Sequence, residues 1–489
     1  MTGILIQTLQ FVASLSMLVL IHEFGHFITA RMFGVRVDRF YLFFNPWFSL
    51  FKFKRGDTEY GIGWVPLGGY VSLYDSREPL MTEEEKLQSK LEEAKKSLKA
   101  CKAAKDSEEY TALSNEVENL KTAIEEVKER MRNLPAEKNE LRGKRAWQRL
   151  IVMLAGVIMN VLFAIGIYTA MLYTWGEQYY HNEDMVNGYI FNEEAEALGF
   201  IDGDRIVSID GESIGNVAEI NERLLIVDHD LNVEVLRNGE AHSFTLAMAD
   251  LVDMRERGAY KGFIGEFVPF VINGVEREST AEAGLMVGDR VVAINGTEVS
   301  DFVGSTHLLQ EAKGSEVSIV VERGEGEIVE LTIPVDENGT IGIKVATVAP
   351  RRYEYGFWES IPAGFAETGK QISSYWNQLV MMVNPDTKLY KEMGGFISIG
   401  SIFPEVWNWF NFWSITALLS VILAVMNLLP IPALDGGKIF FLMINQLSLL
   451  FFKKQIPAKF ENYIHVAGFI LLMGLMAFVM FQDVWKLFQ

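Results

Sequence analysis

The chain has 489 residues, 49% of them hydrophobic, and a formal net charge of −20. It is too long for one domain and too apolar in patches for an ordinary soluble protein. Its one cysteine, Cys101, excludes a fold stapled by internal disulfides.

Four stretches are predicted to cross a bilayer: residues 3–29, 150–176, 406–434 and 463–482. Each supplies the roughly 20 residues that about 30 Å of hydrocarbon requires. The first has no basic residue at its start and no evident cleavage site, so it reads as a retained helix rather than a secretory signal. No charge occurs between residues 3 and 21; then His22, Glu23 and His26 follow in the same apolar run. Ionisable groups near the hydrocarbon are costly and are functional suspects for that reason. HEFGH at 22–26 is H-E-x-x-H. On a helix His22 and His26 share a face and can turn both imidazoles to one metal ion, with Glu23 beside the water it would activate.

Next comes EYGIGWVPLGGYVSLYD at 59–75, aromatic and β-branched with glycines at 61, 63, 68 and 69. It predicts a β-hairpin, or a short sharply bent sheet, associated with the membrane interface. Residues 81–142 carry 15 acids and 13 bases and no glycine. Stripes at Leu87, Leu91, Ala94 and Leu98 and at Leu113, Val117, Leu120 and Ile124, with a break near 105–107, predict an antiparallel helical hairpin. Such a hairpin is either a solvated spacer or a surface for a cytoplasmic partner or self-association.

Residues 177–349 hold 34 acids against 11 bases, a net of −23, which accounts for the acidity of the whole chain. That charge argues against nucleic acid or other anionic ligands. Within it, GFIDGDRIVSIDGESI at 199–214 repeats as GLMVGDRVVAINGTEV at 284–299, with seven identities in sixteen. Two small β-rich domains in tandem are predicted. Residues 356–382 read as an amphipathic helix on the outer leaflet. The apolar run 439–452 is too short to span and is expected to be interfacial or packed on the bundle.

Basic residues set the expected orientation. Arg31, Arg36, Arg39, Lys52, Lys54 and Arg55 follow the first span; Arg142, Lys144, Arg145 and Arg149 precede the second; Lys438, Lys453, Lys454 and Lys459 lie between the third and fourth. These loops belong in the cytoplasm, and both termini and the acidic segment outside.

A catalytic zinc site takes three protein ligands and keeps one position open. The remaining histidines, 181, 229, 242, 307 and 465, are poorly placed for the third. Asp435, in NLLPIPALDGG at 427–437, ends an uncharged run behind Pro430 and Pro432, which must break the helix and free backbone groups there. The first and third spans both run inward, so His22 and Asp435 are expected at one depth.

HEFGH in the first span, NLLPIPALDGG in the third and the duplicated domains between the second and third resemble the site-2 protease family in its bacterial branch. AGVIMN at 155–160, RGKRAWQRL at 142–150 and the glycine-rich stretch at 59–71 are also similar to that family, and residues 81–142 look like an insertion. The repeated motif resembles the PDZ domain, which takes extended peptide onto a sheet edge.

The resemblance implies an intramembrane zinc metalloprotease of the bacterial inner membrane. Its substrates would be the transmembrane segments of single-span proteins, of the anti-sigma factor type, and remnant signal peptides, trimmed beforehand by another protease. It implies Zn2+ held by His22, His26 and Asp435, with Glu23 as general base and then acid. Asn427 would hold the substrate backbone or the developing oxyanion, a helix-capping amide being the alternative. Gly68 and Gly69 would let an unwound substrate strand approach. Val157 and Phe396 stand where the family commonly has proline. From the residues alone two other readings stay open: an inactive PDZ scaffold, and a membrane metal sensor or transporter.

The expected fold is therefore a polytopic α-helical membrane protein with four transmembrane helices, two tandem β-rich PDZ-like domains, a membrane-associated β-hairpin and a cytoplasmic helical hairpin. The expected order is a first helix over 1–30, a hairpin region over 31–80, the insertion over 81–142 and a second helix over 148–176. PDZ-like domains over 180–255 and 260–348 and a periplasmic amphipathic segment over 349–405 follow. The third helix over 406–437, a cytoplasmic interfacial segment over 438–462 and the fourth helix over 463–483 complete it.

Overall fold

The structure is a computed structural model that describes residues 2–66, 68–101, 108–260, 262–299, 301–324, 326–392, 394–432, 434–453 and 458–486. The chain divides into two compact units. One comprises Met1–Met171, Phe357–Tyr375 and Gly394–Gln489; the other comprises Leu172–Gly356 and Trp376–Met393. Among the described residues, four helical segments are long and apolar enough to cross a membrane: Gly3–Met32, Ala146–Trp175, Trp409–Leu428 and Val466–Asp483.

The first unit opens with helix α1 (Thr2–Met32), whose one basic residue in the last turn is Arg31. Strands β1 (Val37–Leu42), β2 (Phe51–Arg55), β3 (Thr58–Ile62) and β4 (Tyr70–Leu73) follow and make one sheet in the order β2-β3-β1-β4. Of the two readings of 59–75, a simple hairpin does not form, and the residues belong to this short sheet. The two arms, β3 and β4, lie on opposite sides of β1, the first parallel to it and the second antiparallel. Residues 64 and 65 are held across the end of β1 instead: Phe44 bridges Val65, and Trp64 Nε1 donates to the Pro46 carbonyl at 2.9 Å. The hairpin in this sheet is β2–β3, turning at Gly56 with φ 63°.

Helices α2 (Glu78–Ala100) and α3 (Glu108–Asn133) form the expected helical hairpin around Leu91, Ala94, Val117 and Ile124, and the predicted break at 105–107 lies outside the described residues. At its base the buried Glu140 accepts from Ser76 N at 2.6 Å and from Arg142. Burial opposes its ionisation, and these hydrogen bonds outweigh it and hold the carboxyl below its ordinary range. Helix α4 (Ala146–Trp175) then presents Val152, Ala155, Gly156 and Asn160 on its buried face, and Val157 continues it without a break.

The second unit is built twice. The first copy holds β6 (Tyr189–Phe191), α5 (Glu193–Ala197), β7 (Arg205–Ile209), β8 (Glu212–Ser213) and α6 (Val217–Leu225). It continues with β9 (Leu231–Arg237), β10 (Glu240–Leu246), α7 (Met248–Glu256) and β11 (Ile264–Glu266). The second holds β12 (Ile272–Val275), α8 (Glu278–Glu282), β13 (Arg290–Ile294), β14 (Thr297–Glu298) and α9 (Phe302–Glu311). It ends with β15 (Glu316–Arg323), β16 (Glu327–Pro334) and β17 (Ile343–Val345). The sheets β10-β9-β7-β8 and β16-β15-β13-β14 have one topology, and the small pairs β6–β11 and β12–β17 correspond.

Each copy encloses its own apolar core. The first body runs beyond residue 255, because β11 pairs with β6 and Phe263 packs in its core. β5 (Glu177–Tyr179) and β18 (Arg351–Tyr353) pair at the ends of the segment.

Helix α10 (Phe357–Val383) is amphipathic: Ser360, Gly364 and Thr368 are buried at one-turn spacing, and Trp358, Phe365 and Val383 are exposed. Next come α11 (Phe396–Ser401), α12 (Trp409–Leu428), α13 (Asp435–Phe452) and α14 (Ala458–Lys486). Phe396 opens α11, with Gly395 as its cap.

The span expected over 406–437 is broken at its two prolines, as the sequence implies, and Asp435 lies beyond the break on a second helix. Pro430 and Pro432 lack N–H donors and disfavour helix in the residues before them, so α12 stops at Leu428 and Asp435 opens a new helix. The apolar run 439–452 is the body of α13, buried at Ile439, Phe441 and Leu442 and exposed at Leu447, Leu450 and Phe451.

Candidate metal centre

Three elements from distant parts of the chain meet at one point. α1 carries His22 and His26 one turn apart; the first turn of α13 carries Asp435; α4 lies against both histidines. His22 Nε2 is 3.1 Å and His26 Nε2 2.9 Å from Asp435 Oδ2, and the two Nε2 atoms are 3.3 Å apart. Among the described residues, these three are the group of His, Cys, Asp or Glu whose donor atoms converge closely enough to hold a metal ion. They are nearly enclosed, with side chains 10–13% exposed.

The arrangement fits zinc. Bonds of about 2.0–2.1 Å in a tetrahedral site put neighbouring donors roughly 3.3 Å apart. The histidine pair matches this, and the carboxylate edges fall a few tenths of an ångström short. Two imidazoles and a carboxylate are a donor set of catalytic zinc sites, which leave a fourth position for water or substrate. The surroundings prepare the donors. His26 Nδ1 lies 2.8 Å from the Val152 carbonyl, to which it can only donate, so the ring's lone pair is on Nε2, facing the centre. Asp435 turns its second oxygen, Oδ1, to Lys438 Nζ at 3.1 Å.

Gly156 makes the close approach of α4 possible. A Cβ there would lie 2.6 Å from both His22 Cε1 and His26 Nε2. The first turn of α13 is as tight: a Cβ at Gly436 would lie 2.2 Å from the Leu429 carbonyl, so the start of this helix folds back on the proline-broken segment.

Glu23 shares this neighbourhood, with His26, His22, Asp435 and Lys438 as the charged groups around it. The strand leading into β4 passes over it: a Cβ at Gly69 would meet Tyr41 O at 2.7 Å, Val19 Cγ1 at 2.9 Å and Glu23 Cγ at 3.1 Å. Gly68, with φ 123°, makes the turn that brings Gly69 there. Asn427 stands in the last turn of α12, half-buried, and its amide makes no side-chain hydrogen bond among the described residues. It therefore caps no helix in this structure.

Sequence reasoning brought His22, Glu23, His26 and Asp435 forward and passed over the residues of α4. Gly156, Val152 and Asn160 all touch the histidines, and only the AGVIMN pattern at 155–160 carried a signal for two of them. Lys438 was read as an orientation charge, and the structure also pairs it with Asp435.

The family model for Peptidase family M50 matches residues 10–475. The regulator of sigma E protease of Haemophilus influenzae is 26% identical, with 98% of each chain covered, and that of Salmonella typhi is 25% identical over the full length of both. A Vibrio cholerae relative with zinc metalloprotease in its name is 27% identical, again over the full length of both. The chain thus belongs to peptidase family M50, the site-2 proteases, and is an intramembrane zinc metalloprotease.

Proposed function

We propose that His22, His26 and Asp435 hold the zinc of this protease and that Glu23 moves the protons. One observation carries the reading: three donor atoms, two from α1 and one from a helix more than 400 residues later, converge on one enclosed point. When bound there, zinc supplies Lewis-acid activation of water and of the scissile carbonyl. Glu23 accepts a proton from the attacking water and delivers it to the leaving nitrogen. The free amide of Asn427 holds the substrate backbone beside the centre.

A transmembrane substrate helix has its carbonyls paired internally and must unwind before attack. β4 is the edge strand nearest the centre, and its ladder partner is β1 alone. An unwound segment adding to that edge would run past Gly69 and Glu23.

The opposite edge of the sheet fits lipid. Trp47, Phe48, Leu50, Phe51 and Phe53 are exposed there, interleaved with Lys52 and Lys54, a pattern suited to an anionic membrane surface. The family and its bacterial relatives favour the inner membrane, and the charge asymmetry favours an orientation with the centre near the cytoplasmic face and the acidic, PDZ-like pair outside, where it would filter or sense substrates. Two relatives are named for regulating sigma E, which favours a substrate in that kind of pathway. The family resemblance implies single-span substrates of the anti-sigma factor type, already trimmed by another protease, with remnant signal peptides as a related class. The helical hairpin α2–α3 is left as a spacer or a surface for a cytoplasmic partner.

The test compares wild type with Glu23→Gln in detergent, using a single-span model substrate that lacks its outer domain. The expected result is a loss of cleavage of about 10²–10⁴-fold with zinc content unchanged. Equal cleavage by both proteins would remove Glu23 from the reaction.

A further inference from the structure

We propose that Asn160 is a positioning residue for the metal centre, accepting a hydrogen bond from His22 Nδ1–H through its side-chain oxygen. The inference rests on the reading that His22 ligates zinc through Nε2.

Nε2 of His22 is the ring atom that faces Asp435 Oδ2 and His26 Nε2, at 3.1 and 3.3 Å. To offer its lone pair there, a neutral imidazole must carry its proton on Nδ1, and that proton needs an acceptor. His26 has one, the Val152 carbonyl at 2.8 Å. His22 Nδ1 faces the side-chain amide of Asn160, 3.2 Å away. Asn160 is wholly enclosed in α4.

In the structure the amide nitrogen points at His22, and the amide oxygen is buried with no partner. A half-turn about the terminal torsion exchanges the two atoms. Either orientation leaves one end of the amide unpaired, so the hydrogen-bond count does not choose between them. The tautomer does. With nitrogen toward His22, the amide donates to Nδ1, the proton sits on Nε2, and the ring cannot ligate through the atom that faces the other two donors. With oxygen toward His22, the same contact fixes the ligating tautomer.

The residue is held in place from the opposite side. Ser420 of α12, itself buried, donates to the Asn160 carbonyl at 2.8 Å. α4 thereby orients both histidines, one through a backbone carbonyl and the other through a side-chain amide.

The experiment measures zinc affinity by chelator competition for wild type, His22→Ala, Asn160→Leu and Asn160→Asp, with melting of the metal-free proteins as a folding control. Asn160→Leu removes the acceptor and should weaken zinc about 10–100-fold. Asn160→Asp keeps an acceptor and removes the donor, and should bind zinc at least as tightly as wild type. If Asn160→Leu does not fold, Asn160→Ala takes its place with the same expectation. Wild-type affinity in the apolar variant, or an equal loss in both, would overturn the proposal. Undiminished zinc in His22→Ala would instead overturn the ligand reading on which it rests.

Discussion

Two enclosed carboxylates, one in each unit, differ in what surrounds them, and the difference separates an acid of the fold from the proposed metal ligand. Asp289, in the second β-rich copy, receives Nε and Nη2 of Arg323 at 2.8 and 2.7 Å and the backbone N–H of Met286 at 2.9 Å. Burial disfavours its charge, and the guanidinium and backbone bonds outweigh this and hold its carboxyl below the ordinary range. Asp204 repeats the arrangement with Arg237 and Ile201 N in the first copy. These acids are saturated, and their duplication marks them as part of the fold. Asp435 has Lys438 on one oxygen, while the other faces two imidazoles. One of those rings already spends its second nitrogen on a backbone carbonyl. Three donors converging in this way could hold a cation, as proposed above.

Breaking each acid should therefore break different things. Asp289→Ala leaves Arg323 without its carboxylate, and should destabilise the second copy by roughly 3 kcal/mol while zinc content stays at the wild-type level. Denaturant unfolding alongside metal analysis reads both. Loss of zinc in that variant would erase the distinction.

Gly69→Ala sharpens the comparison from the side of the centre. The added methyl must displace Tyr41 O, Val19 or Glu23. Cleavage should fall about tenfold, a cost near 1.4 kcal/mol, with zinc retained. Unchanged cleavage would detach the β4 approach from the reaction.

The smallest effect is expected at an exposed acid. Glu256 is held at about 2 by hydrogen bonds from Lys388 and Lys391, which tie residues 388–391 to α7. Its folded pKa lies below the ordinary 4.5, so its contribution is complete above 4.5 and is lost as pH falls toward 2. Hydrogen exchange at residues 388–391 should accelerate over that window in wild type, and show no such dependence in Glu256→Gln.

The spans, the helical hairpin and the duplication were legible because each writes a period or a repeat into the chain. His22 and His26 were legible because one helical turn is a local geometry, and Asp435 because a charge ends a long apolar run. The sheet order was not. β1 pairs between β3 and β4, with Trp64 and Val65 held against Pro46 and Phe44, which no local pattern encodes. The break between α12 and α13 was signalled by Pro430 and Pro432, yet Asp435 was expected at the end of one helix and opens the next. The roles of Val152 and Gly156 emerge only when α4 is laid against α1.

The central claim is that one metal centre is assembled from α1 and α13. Zinc content of purified Asp435→Ala in detergent tests it most directly, with Asn427→Ala as the neighbouring control. The account predicts that the first loses its zinc and the second keeps it. Full zinc in Asp435→Ala, with His22 and His26 intact, would contradict it.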